Sequence, residues 1–142
     1  RTLVLGEARP VIPGFFTLTH VRNPGAVWGL FPGQGAALIL LSLVSLGVLA
    51  LLHRRAPSTA RVRTALGLMA GGILGNLGDR LAYGYVVDFL DFHAAGWHWP
   101  AFNLADAAIC AGIGLYLLAS WTASRPAADG AAVPTDAGAP GP

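Results

Sequence analysis

The sequence of 142 residues has no lysine, a single cysteine and only 11% charged residues. Each scarcity excludes something. A soluble domain carries about 25% charged residues, and with 54% of the chain hydrophobic the composition is that of a membrane protein. All nine basic residues are arginine, and against seven acids they leave a formal charge of only +2. These arginines are scattered or confined to one short loop, so no basic surface for nucleic acid is built. One cysteine, Cys110, excludes an intrachain disulfide and leaves the redox compartment open. The four histidines (His20, His53, His93, His98) are dispersed and form no His-Glu-x-x-His pattern, which argues against a zinc protease. Ser42 and Ser45 have no histidine or lysine at membrane depth to activate them, which argues against a serine protease. There is no glycine loop of the phosphate-cradling kind. The sequence opens at Arg1 without methionine, as expected if residues are missing upstream.

Three apolar segments are present: about 35–52, about 62–78 and 101–121. The second is rich in glycine and short for a crossing. A hydrocarbon core needs about 20 apolar residues in a helix, and a lone strand there would leave its backbone groups unpaired. Three transmembrane helices are therefore expected. The loop between the first two holds four arginines, Arg54, Arg55, Arg61 and Arg63, in residues 53–63, which places it in the cytoplasm by the positive-inside rule. The arm at 1–34 and the loop at 79–100 then face outward. Trp28, Trp97 and Trp99 fall at the outer interface and Trp121 at the inner one. The tail at 122–142 is rich in alanine, proline and glycine, cannot bury a core, and reads as a disordered cytoplasmic segment.

Within the arm, the run from Phe15 to Arg22 is rich in aromatic and β-branched residues and is bounded by Pro13-Gly14 and Asn23-Pro24-Gly25. A short strand or hairpin on the outer membrane surface follows, with residues 83–92 as a partner strand.

The chemistry-bearing residues cluster at the outer ends of the spans. Gly67, Gly71 and Gly75 form a ladder suited to close helix packing. Asn76, Asp79 and Arg80 follow on neighbouring turns, and Arg80 offers a planar donor fork to backbone carbonyls or a polar head group. In the third span Asn103, Asp106, Ala107 and Cys110 share a face, with Cys110 a small packing residue. Asp106 is expected about five residues inside that span, roughly 7 to 8 Å deep at 1.5 Å per residue. A carboxylate there is costly, and a second one that meets it suggests a shared-proton pair. Asp88 and Asp91 both qualify as that second acid. On a strand they point to opposite faces, and spacing does not choose between them.

Four ordered runs carry a resemblance: Arg22 to Gly29, Gly71 to Arg80, Tyr83 to Phe89, and Phe102 to Asp106. Together they resemble the bacterial lipoprotein signal peptidases, the signal peptidase II family, over about residues 1–121. The resemblance implies a four-helix aspartic endopeptidase of the bacterial inner membrane with a small extracytoplasmic β-sheet and its site at that face. It implies removal of signal peptides from diacylglyceryl-modified prolipoproteins, just before the lipidated cysteine, without metal or other cofactor. It puts the catalytic pair on Asp88 and Asp106, makes Asp91 a bystander, and gives supporting roles to Asn23, Asn76, Asp79, Arg80 and Asn103. The family's first helix has no counterpart here, since Arg1 corresponds to a point just after it. The segment after Asn23 reads Pro24-Gly25-Ala26-Val27-Trp28, where many relatives carry a small polar residue and a phenylalanine. A site within one chain suggests a monomer. The alternative, a proton-coupled transporter subunit using the aspartates as a relay, expects repeated spans and a carboxylate near the midplane. A purely structural subunit would leave the polar cluster a coincidence.

Overall fold

In a computed structural model, residues 3–25, 33–56 and 59–123 are described. The element order is β1 (Ala8–Ile12), β2 (Phe16–Asn23), α1 (Gly35–Arg55), α2 (Ala60–Tyr83), β3 (Val86–Ala94), β4 (Trp97–His98) and α3 (Leu104–Ala123).

Helix α1 is apolar on all sides, and its most apolar stretch is wholly unburied by the rest of the protein. Leu38 is its one buried residue. A helix in water would hide an apolar stripe against a core, whereas one hydrophobic all round belongs in a core or in lipid. It ends on His53, Arg54 and Arg55, cations that suit the negative end of the helix dipole. Helix α3 is the second helix long and apolar enough to cross a membrane.

Helix α2 is longer than the expected segment at 62–78. Thr59 caps its start by accepting from the Val62 amide at 3.3 Å, and Gly84, in the left-handed conformation, closes its end. The helix thereby carries Asn76, Asp79 and Arg80 within its last two turns. Helix α3 differs the other way: it begins at Leu104, not 101, because the Phe102 backbone is committed elsewhere. Phe102 N–H donates to Leu90 O at 3.0 Å, and Phe102 O accepts from Phe89 and Leu90 amides at 3.0 and 2.8 Å. Asp106 consequently sits in the first helical turn, not five residues deep.

Helices α2 and α3 touch through glycine, though not through the whole expected ladder. A Cβ on Gly72 would collide with the Ala105 carbonyl and lie 2.7 Å from Ile109. On the facing helix, a Cβ on Gly112 would meet the Ala65 carbonyl at 2.7 Å. Gly75 approaches Ala105, while Gly67 and Gly71 face open space. The packing stripe is therefore Gly72 and Gly75 against α3, offset from the predicted row. Val62, Leu66 and Ala119 form a small core at the far end of the bundle, backed by Leu49 and Leu52 of α1.

The antiparallel sheet has the order β1-β2-β3-β4 and stands at the opposite end. The expected pairing of the arm with the later segment is present, with Val21 opposite Asp88 and Asn23 opposite Val86. Phe92 stacks on Phe16 and Phe102, at centroid distances of 4.7 and 5.8 Å, which binds the sheet to the start of α3. The β3–β4 turn is Ala95-Gly96, with φ of 48° and 83°, the double positive φ of a tight hairpin. Trp97 and Trp99 lie exposed at this end, and Trp121 lies exposed at the other. Trp28 and residues 124–142 of the expected tail are outside the described residues.

The glycine contacts make a clear expectation. Gly72→Ala drives a methyl into a backbone carbonyl and should lower thermal stability in detergent, since overpacking costs about 1–3 kcal/mol. Gly67→Ala meets open space and should leave the melting temperature unchanged or raise it. Equal melting temperatures for the two variants would contradict this packing.

Candidate active site

Strand β3 presents Val86 and Asp88 inward, both 2% exposed, because alternate strand residues share a face. Asp91 falls on the other side, where His98 Nε2 lies 3.0 Å from its Oδ1 without hydrogen-bond alignment. The geometry thus separates the two candidate acids.

The carboxylate of Asp88 accepts from two carboxamides: Asn23 Nδ2 donates to Oδ2 and Asn103 Nδ2 to Oδ1, each at 2.9 Å. Asp106 is held similarly, with Asn76 Nδ2 donating to Oδ1 at 2.7 Å and the Asn103 amide to Oδ2 at 3.3 Å. Asn103 Nδ2 also donates to Asn76 Oδ1 at 3.1 Å. Asn103 reaches so many partners because it caps α3. Its Oδ1 accepts from the Ala105 and Asp106 amides at 2.7 and 3.1 Å, while Asp106 returns a bond to its backbone, a reciprocal capping box. Five side chains, Asn23, Asp88, Asn103, Asn76 and Asp106, form one continuous chain from strand to helix.

Both carboxylates line one cavity of about 610 Å³, together with Asn23, Asn76 and Arg80. Arg80 extends Nη2 to Gly25 O at 2.8 Å and Nη1 to Asn76 O at 3.3 Å. Of the two partners its donor fork suits, it meets main-chain carbonyls, tying Gly25 to α2. Asp79 is elsewhere: it accepts from the Val87 amide at 3.0 Å and anchors the start of β3. Cys110 is exposed and lines the cavity, where packing is expected from sequence; the close approach to α2 is made by Ala105, Ile109 and Gly112 instead. The apolar cavity wall, including Leu38, Leu41, Phe102 and Trp99, was not singled out from sequence. Only the spacing of Leu38, Leu41, Ser42 and Ser45 on one helical face could have signalled it. Among the described residues no three His, Cys, Asp or Glu side chains cluster as a metal site would.

Comparison with known proteins decides the family. The profile described as Signal peptidase (SPase) II matches residues 2–122. The lipoprotein signal peptidase of Syntrophotalea carbinolica is 46% identical over 125 residues, 85% of this chain and 78% of that protein. That of Geobacter sulfurreducens is 44% identical over 119 residues, 81% and 74% of the two chains. The chain belongs to the signal peptidase II family. A solved structure described as a bacterial membrane enzyme superposes with a TM-score of 0.79 at 32% identity, covering 84% of this chain and 74% of its own. A second of the same description gives 0.75 at 33% identity. As a member of signal peptidase II, the chain is a membrane-embedded peptidase of the aspartic type.

Within this cavity, burial pushes the Asp88 carboxyl above its ordinary pKa. The donors from Asn23 and Asn103 oppose the rise, the charge of Asp106 adds to it, and Arg80 opposes it. The folded protein holds this proton more tightly than the unfolded chain does. Asp88 therefore contributes stability at acid pH, lost as pH rises from its unfolded to its folded pKa. Removing the Asn23 donor withdraws support from the ionised form. Asn23→Ala should accordingly raise the Asp88 titration midpoint further, read from its carboxyl NMR shift in micelles. A midpoint that stays or falls would refute the assigned hydrogen bond.

Proposed function

We propose that the chain removes the signal peptide from diacylglyceryl-modified prolipoproteins, cleaving before the lipidated cysteine with water activated between Asp88 and Asp106. The observation that carries this reading is the chain of carboxamides holding two carboxylates in one cavity. An ionised acid and a protonated acid are both needed, and like charges held close do not ionise together.

Asp88, whose burial favours the protonated form, is the acid, and Asp106 is the base. Asp106 takes a proton from the water as its oxygen attacks the scissile carbonyl carbon. The Asp88 proton hydrogen-bonds the developing oxyanion. The tetrahedral intermediate collapses, the carbon–nitrogen bond breaks, and the departing cysteine amine receives the proton gained by Asp106. The apparent pKa values of such a dyad belong to the pair. Asn103 and Asn76 fix both carboxylates, Asn23 supports Asp88, and Arg80 with Asp79 holds the surrounding backbone in place.

All three helices cross the bilayer in this reading. Helix α2, with 24 residues, is about 36 Å long at 1.5 Å per residue. Its charges, Arg61 and Arg63 at one end and Asp79 and Arg80 at the other, leave its middle apolar. The arginine-bearing α1–α2 connection lies in the cytoplasm, so the sheet and the dyad lie at the extracytoplasmic face of the bacterial inner membrane. One chain supplies both acids, so the working unit is a monomer, and substrate and lipid enter sideways between helices.

Asp88→Asn and Asp106→Asn, purified in detergent and given a lipidated prolipoprotein, should each lose at least about a hundredfold in cleavage rate. Substantial cleavage by either variant would discard the dyad.

A further inference from the structure

The cavity continues below the two acids, away from the sheet, between α1 and the α2–α3 pair. Its wall there is Leu38, Leu41, Ile73 and Ile109, with Ser42 and Ser45 among them. The two serines differ. Ser42 Oγ donates to Leu38 O at 2.9 Å, as Ser120 Oγ does to Tyr116 O at 2.9 Å. This back-bond to the preceding turn is the usual way a helix in an apolar medium satisfies a hydroxyl. Ser45 makes no such bond, and its hydroxyl has no partner among the described residues although it lines the cavity. A free hydroxyl in an apolar wall is costly unless an occupant pairs with it.

We propose that Ser45 is a substrate-binding residue whose hydroxyl hydrogen-bonds the main chain of the signal peptide a few residues before the scissile bond. This rests on the signal-peptidase reading above. Cleavage needs the peptide extended at the dyad, and an extended main chain in an apolar cavity leaves carbonyls unpaired. Ser45 lies about ten residues into α1, some 15 Å along it, whereas Asp106 lies about 3 Å into α3. Both residues line the same cavity, so a peptide extended through it at about 3.3 Å per residue passes Ser45 within a few residues of the dyad. An acyl chain of the substrate has no polar atom to offer at that depth, so the peptide is the occupant.

The test is steady-state cleavage of a synthetic lipidated prolipoprotein peptide by wild type, Ser45→Ala, Ser45→Val and Ser45→Thr. Alanine and valine should raise KM roughly three- to tenfold with kcat unchanged, and threonine, which keeps the hydroxyl in the shape of valine, should restore it. Replacing one backbone amide by an ester, scanned over the residues before the scissile bond, weakens one carbonyl acceptor at a time. One position a few residues out should raise the wild-type KM by a similar factor and have no further effect in Ser45→Ala. An unchanged KM in both alanine and valine variants would overturn the proposal, as would failure of threonine to rescue or ester effects that add to Ser45→Ala. In those cases cleavage by wild type would persist and the signal-peptidase reading would stand. Absence of wild-type cleavage would instead remove that reading, and this proposal with it.

Discussion

The arrangement depends on the side chain of Asn103. Its oxygen caps α3 and its nitrogen reaches Asp88 on β3 and Asn76 on α2. One carboxamide therefore fixes where the third helix starts, which way Asp106 points, and how far the strand acid stands from it. An aspartate here would add a third negative charge and lose the donor, and an alanine would leave Asp88 Oδ1 and Asn76 Oδ1 without this donor and α3 without its cap. Buried polar networks are worthwhile only when every member is satisfied. Asn103 is 5% exposed, and both ends of its amide are used.

The balance of forces differs from that of a soluble enzyme of this size. The fully buried apolar set is small, and large hydrophobic side chains on α1 and α3 are exposed. Lipid supplies the environment for those surfaces, so helix association relies on close backbone approach at Gly72 and Gly112. Polar groups are correspondingly concentrated at one end, where sheet and helices meet. That end holds the acids, all four carboxamide and guanidinium partners, and the stacked phenylalanines.

Much of this was legible in the residues. Charge scarcity and the arginine-bearing loop indicated apolar helices. Aromatic and β-branched runs between turn signals marked β2 and its partner β3. The ordered motifs singled out Asp88, Asp106 and five supporting residues, and the structure gathers all of these except Asp79 into the network or the cavity. The misses have physical causes. Hydropathy could not see that Phe102 spends its amide and carbonyl on Leu90, so α3 was begun too early and Asp106 set too deep. Glycine spacing gave the right helix but the wrong stripe, because the position of α3 selects Gly72 over Gly67 and Gly71. The strand β4 is two residues long, and a segment that short has no periodicity to read. Spacing alone does not choose between Asp88 and Asp91, because that depends on strand phase relative to α3; the ordered motifs are what single out Asp88.

The Phe102 bridge has a further meaning. The strand that carries one acid and the helix that carries the other are joined by three main-chain hydrogen bonds, not by side chains that lie against lipid. These main-chain bonds reinforce the spacing that the Asn103 side chain sets. Whatever displaces β3 therefore carries the start of α3 with it, and the two carboxylates keep their register.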